Sequence, residues 1–186
     1  TGIVDWRERE LEHLNVEVRL NALAEADNVV ALKPDLVILA TGGLPNLDLP
    51  SGTDLVLSPW DALSNPVPAP GRLVVFDGTG RHTAVSCADR YARAGHQVTL
   101  VILDDQFGMD MGKSDQVLWR KRIYEAGIEL RFDYQIMGAE RSGNEIKAVF
   151  RNELTGADLE ISTDRLVIDR GTLPEDSLFQ DLRSQS

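Results

Sequence analysis

The sequence predicts an α/β fold: a Rossmann-like parallel sheet with flanking helices and a three-stranded antiparallel β-meander crossover. Three observations lead there. Residues 72–101 read apolar strand, glycine turn, helix, glycine stop and second apolar strand, the order of a βαβ unit, whose two strands must run parallel. Residues 135–140, 145–152 and 158–162 have strand character and are joined by SGN and LTGA, both tight-turn sequences. Finally, DLVILATGGLP (35–45) recurs without gaps as DRLVIDRGTLP (164–174), at an offset of 129.

Each element has its own signal. Ile3, Trp6, Leu11 and Leu14 stand at helical spacing over residues 2–14. A short strand at 16–20, a helix over 25–32 and a buried strand at 36–40 (LVILA) follow, and TGGLPNLDLPSG after them reads as loop. A short helix at 59–63 leads into SNPVPAPG, read as a linker. RLVVF (72–76) is then a strand, and Gly78 and Gly80 make a turn. A helix over 82–94 presents Ala84, Cys87, Ala88 and Tyr91 on one face and is stopped by Gly95. A strand at 97–101, a loop containing GMDMG, a helix at 115–126 ended by Gly127 and a strand at 128–132 complete the alternation. After the meander, the last strand is 166–168.

Composition excludes several functions. Nineteen Lys and Arg stand against 30 Asp and Glu, a net charge of −11, which is a poor match for nucleic acid or anionic lipid. The longest apolar run is LVILA, far short of a membrane span. One cysteine, Cys87, excludes an intramolecular disulfide and an all-cysteine metal site within this segment. A reducing, cytoplasmic compartment is expected, and no metal ligands are assigned. The chain begins on Thr1, inside what reads as a helix, and is expected to be part of something longer.

In each copy of the repeat a buried parallel strand ends in a glycine turn, where backbone can approach a ligand, and a proline stiffens the exit. Either two nucleotide-binding domains each end in one copy, or common strand-and-turn residues coincide. In the first case the expected organisation is a partial domain at 1–50, a linker at 51–70, an inserted NAD-type domain at 71–170 and a return segment at 171–186. The glycine-rich opening of the first domain would then lie upstream of Thr1.

The turn Asp77-Gly78-Thr79-Gly80-Arg81-His82 follows a strand and opens a helix, the context in which a glycine fingerprint carries meaning. Its amides and the positive helix end suit a pyrophosphate. Thr83 stands where Gly or Ala would pack the helix closely on the strand, so a turn without a ligand is the competing reading. Arg81 and His82 could meet phosphate oxygens or simply be exposed. Cys87 reads as a packed small hydrophobe, and Trp119 and Ile123 as core or interface residues. Past the second strand, Ile102 occupies the position next to it, and Asp104 and Asp105 follow. An acid there suits the ribose hydroxyl of NAD rather than the NADP phosphate.

The runs WRERELEHLNVEVRLN, KPDLVILATGGLPN and VVFDGTGRHTAVSCADRYARAGHQVTLV resemble the carboxyl-terminal half of the NADH:flavin oxidoreductases related to 2,4-dienoyl-CoA reductase and trimethylamine dehydrogenase. GMDMGKSDQVLWRKRIYEAGIELRFDYQI, FRNELTG and DRGTLPEDSLFQDLRS are similar to the branch that demethylates N-methylproline, dimethylglycine and proline betaine. The resemblance implies an upstream barrel with FMN and substrate, a [4Fe–4S] segment, and a possible electron-transfer protein as partner. It implies that Gly42, Gly43 and Pro45 lie near the FAD or ADP of the first domain. It further implies that Gly78, Thr79, Gly80, Arg81 and His82 meet NAD(H) or ADP in the second, and that Gly171 belongs to the return crossing. The reaction implied is oxidative removal of an N-methyl group. No catalytic acid, base or nucleophile is assigned in this chain. The alternative is a degenerate Rossmann module that binds no nucleotide and docks the barrel or an electron carrier.

Overall fold

The computed structural model describes residues 2–185. They fall into two compact units, one formed by residues 2–42 with 175–185 and the other by Gly43–Pro174.

The second unit is built on a parallel five-stranded sheet. Its strands are β2 (Val56–Leu57), β3 (Arg72–Asp77), β4 (Gln97–Ile102), β5 (Glu129–Arg131) and β9 (Arg165–Asp169), in the order β2-β9-β3-β4-β5. Alternation along the strands divides the core. Leu73, Val75, Leu100, Ile102 and Val167 face helices α3 (Pro59–Ser64), α4 (His82–Arg93) and α5 (Lys113–Glu125). Val74, Phe76, Val101, Leu166 and Ile168 face the antiparallel meander β6 (Tyr134–Ser142), β7 (Glu145–Asn152) and β8 (Asp158–Thr163). A sheet buried on both faces needs strands apolar at every position, and RLVVF and RLVI supply them. The predicted fold class is therefore the observed one.

Within residues 51–70, expected as a linker with a short helix at 59–63, that helix forms as α3, and β2 precedes it. Helix α3 starts with a capping box in which Ser58 and Asp61 exchange hydrogen bonds, with Pro59 in its first turn. Arg90 of α4 donates to the carbonyls of Leu63 and Asn65, tying the end of α3 to the larger helix. Strand β4 runs one residue further than expected, so Ile102 is its fully buried last residue and not a loop residue. Gly95 and Gly127, at φ 89° and 66°, end α4 and α5 as the sequence predicts.

Part of the segment read as loop is a strand. Gly43–Pro45 (β1) pairs antiparallel with Thr172–Pro174 (β10), with Leu44 opposite Leu173. These are the exits of the two repeat copies. Gly42 and Gly171, equivalent in the repeat, both adopt left-handed φ, 74° and 76°, which favours glycine. The amide of Asn46 donates to Gly171 O at 2.9 Å, and that of Glu175, its repeat equivalent, donates to Gly42 O at 3.0 Å. The exits of the two copies are thus matched in glycine conformation and in hydrogen bonding.

The first unit contains α1 (Gly2–His13), α2 (Ala26–Ala31), α6 (Ser177–Ser184) and an extended stretch between α2 and β1. The strands expected at 16–20 and 36–40 are not formed among the described residues. A parallel strand exists only by pairing with neighbours, and no such partner lies beside them here. Leu36 and Ile38 are consequently 76% and 82% exposed, and Ala26 is the one apolar side chain of this unit buried among the described residues.

Phe150 is fully buried beneath the sheet, with its ring centroid 6.2 Å from that of Phe76. Replacing it by alanine removes a fully buried aromatic contact between meander and sheet. Phe150→Ala is expected to lower the unfolding free energy by about 3–5 kcal/mol, read as a shift of the urea midpoint.

Candidate functional site

Strands β3 and β9 lie side by side in register, so that Asp77 pairs with Asp169 at their carboxyl ends. The chain leaves β3 toward β4 on one side, while β9 lies on the other. That makes this the topological switch point of the sheet, where open α/β folds place their ligands. Both aspartates are buried.

Asp77 organises the turn that follows it. Its Oδ1 accepts the backbone N–H of Thr79 at 3.1 Å and of Gly80 at 2.9 Å. The Gly78 N–H donates to Asp169 O at 2.8 Å, and the Arg81 N–H to Thr79 Oγ1 at 3.4 Å. The amides of residues 78–81 are therefore held by the protein itself. Asp169 completes the arrangement, with Oδ1 accepting the Gly171 N–H and Oδ2 accepting the Thr79 hydroxyl. Asp77 Oδ2 is buried and has no hydrogen-bond partner among the described residues. Burial pushes the Asp77 carboxyl up to about 6; its amide bonds oppose this shift and the charge of Asp169 adds to it.

A second layer closes over the turn. The amide of Asp110 donates to Gly80 O at 3.1 Å, and a Cβ on Gly80 would stand 3.0 Å from Met109 N. With φ at +63° as well, any side chain there would be strained. Phe107 and Met111 are buried and anchor this loop in the core. Arg81 pairs with Asp110 at 2.6 Å. His82 Nδ1 accepts the Trp119 indole N–H at 3.0 Å, and Nε2 lies 3.8 Å from Asp115. Arg122 stacks on Trp119 at 4.5 Å and bonds the buried Asp89.

Of the residues expected to bind a nucleotide, Gly78, Thr79, Gly80, Arg81 and His82 form this one turn. Pro45, Thr79, Arg81 and Gly171 are brought together around a hollow of about 90 Å³, with Trp60, Asp169 and Thr172. Drug-sized and cofactor ligands occupy roughly 300–1,000 Å³, so the hollow holds no dinucleotide as it stands. Asp104 lies past the end of β4 and does not line it; its carbonyl accepts the Asp133 N–H. Gly42 and Gly43 belong to the ribbon region described above and do not line it either. Cys87 is buried with its thiol 3.7 Å from Pro59 O, and burial pushes it up to about 12, an unreactive packed thiol. Asp77, Asp169 and Asp110 were not singled out from the sequence. The first two share a signal, an aspartate closing an apolar strand in VVFD and LVID.

Comparison with known proteins adds a family. Residues 3–185 match the family model described as pyridine nucleotide-disulphide oxidoreductase. A multifunctional alkene reductase/demethylase OYE of Caballeronia cordobensis is 40% identical over 187 residues, which cover 100% of this chain and 28% of that protein. A probable N-methylproline demethylase of Rhizobium meliloti (strain 1021) is 32% identical over 98% of this chain and 27% of its own. Among solved structures, the 6-hydroxypseudooxynicotine amine oxidase (HisD) of Pseudomonas geniculata N1 aligns with a TM-score of 0.82 at 30% identity. That alignment covers 98% of this chain and 29% of that one. The chain thus spans under a third of the length of these relatives. Their names agree with the resemblance drawn from the sequence runs. Among the described residues no helix is long and apolar enough to cross a membrane.

The raised Asp77 carboxyl has a consequence for stability. The folded state holds its proton more tightly than the unfolded chain, whose aspartate titrates near 3.8. Its contribution is therefore full below about pH 4 and is lost as pH rises to about 6, a change on the order of 3 kcal/mol. In Asp77→Asn this segment of the stability–pH curve flattens relative to wild type, as measured by urea unfolding at successive pH values.

Proposed function

Because the chain belongs to the pyridine nucleotide-disulphide oxidoreductase family, we propose that it is the nucleotide-domain part of a longer flavin oxidoreductase. In this reading the longer protein carries FMN and a [4Fe–4S] cluster upstream, is cytoplasmic, and removes N-methyl groups from amines of the N-methylproline or dimethylglycine type. The names of two relatives support demethylation, one of them with N-methylproline as its substrate. FMN and the cluster supply the redox chemistry when bound. No acid, base or nucleophile for the substrate step is assigned here, so the chain alone is expected to show no turnover.

The two units support a reading of one domain inserted in another. Residues 1–50 and 171–186 form part of an FAD- or ADP-type domain, with Gly42, Gly43 and Pro45 near its cofactor. Residues 71–170 form an NAD-type domain, with NAD(H) or ADP at residues 78–82 and Asp104 toward the ribose. The observation that carries this is the glycine turn at the switch point between β3 and β9. A second reading, a docking module that binds no nucleotide, is favoured by a different observation: the amides of Gly78, Thr79, Gly80 and Arg81 already have internal partners.

Titration of the chain with NADH, NADPH, ADP and FAD, followed by backbone amide shifts, separates the two. Saturable shifts at Thr79–His82 with NADH or ADP, and not with NADPH, are expected for a working site. Silence there with all four ligands supports the docking module.

A further inference from the structure

Nucleotide phosphates bind glycine turns through backbone N–H groups that point outward at the open end of a helix. Here the donors are present and the geometry is that of a filled cradle. One carboxylate oxygen, Asp77 Oδ1, bonds the two central amides, Thr79 and Gly80. No side chain caps α4, so its first turn still offers its positive end. The opposite oxygen of Asp77 is buried without a partner, and unsatisfied buried charge is costly. The arrangement gives an anion the central donors, but the anion is the protein's own.

We propose that Asp77 is an internal ligand of the glycine turn, whose carboxylate competes with a nucleotide phosphate for the Thr79 and Gly80 amides and thereby sets the nucleotide affinity of this unit. The proposal rests on the reading of the turn as a nucleotide cradle. Asp110 reinforces the effect from the other side by neutralising Arg81 and by placing its own amide on Gly80 O. Asp169 does not compete for the same donors, because its carboxylate is engaged by Gly171 and the Thr79 hydroxyl.

The test is titration of the chain with ADP in wild-type, Asp77→Ala, Asp77→Gly and Asp77→Asn forms, followed by backbone amide shifts. Asparagine removes the charge but keeps an oxygen for both amides; alanine and glycine remove both. An alanine or glycine form that keeps the wild-type spectrum elsewhere is expected to bind ADP at least about tenfold tighter than wild type, with asparagine within about threefold. Asparagine matching alanine would overturn the proposal, because charge alone then explains the gain. Wild-type saturation with no tightening in the alanine or glycine form also overturns it and leaves the nucleotide reading intact. Silence from every folded form at millimolar ADP overturns both. Should the alanine and glycine forms not fold, the wild-type chain decides. There ADP must pull the Thr79 and Gly80 amides from Asp77, and saturation that leaves those two unmoved while Arg81–Thr83 shift refutes the competition.

Discussion

Strand β9 lies beside β3 in register, from Leu73 opposite Arg165 to Asp77 opposite Asp169, and both strands therefore end level. That pairing fixes three things at once. It supplies the central pair of the five-stranded sheet, it creates the switch point, and it brings two buried aspartates and two glycine turns to one edge. Parallel pairing cannot be local, because the returning strand must cross the sheet. Here the chain runs through α4, β4, α5, β5 and the whole meander before β9 takes its place. The meander uses that crossover to cover the face that the helices leave open, with Phe150 and Ile136 against Phe76 and Val74.

Much of this was legible in the sequence because it is local. Continuous apolar runs at 72–76 and 97–101, and glycines placed to stop α4 and α5, specify strand and helix without reference to distant residues. The repeat was legible too, as two sequence copies. That their exits pair with each other was not, because nothing in either copy says which partner it will meet. The same limit explains residues 36–40: LVILA has the composition of a buried strand, but composition does not supply the neighbour that makes one.

At the site, the glycines were legible as a turn, and the partners of the side chains around them were not. Arg81 and His82 looked available to a ligand. Their partners, Asp110 and Trp119, stand 29 and 37 residues away and reach them only once α5 and the loop before it are packed. Asp77 sits inside the motif, yet its role depends on which way a carboxylate turns at a strand end. When buried there, it satisfies amides that would otherwise have to find water or a ligand. A fingerprint reports where backbone donors can be offered; the residue just before it reports whether they are free.

The β1–β10 ribbon has a consequence for how such a chain could have arisen. Gly43 and Pro174, the first and last residues of the second unit, are direct partners in it. A unit whose ends meet in this way can be gained or lost by a host as a single cassette, since the host's backbone is interrupted at only one place in space.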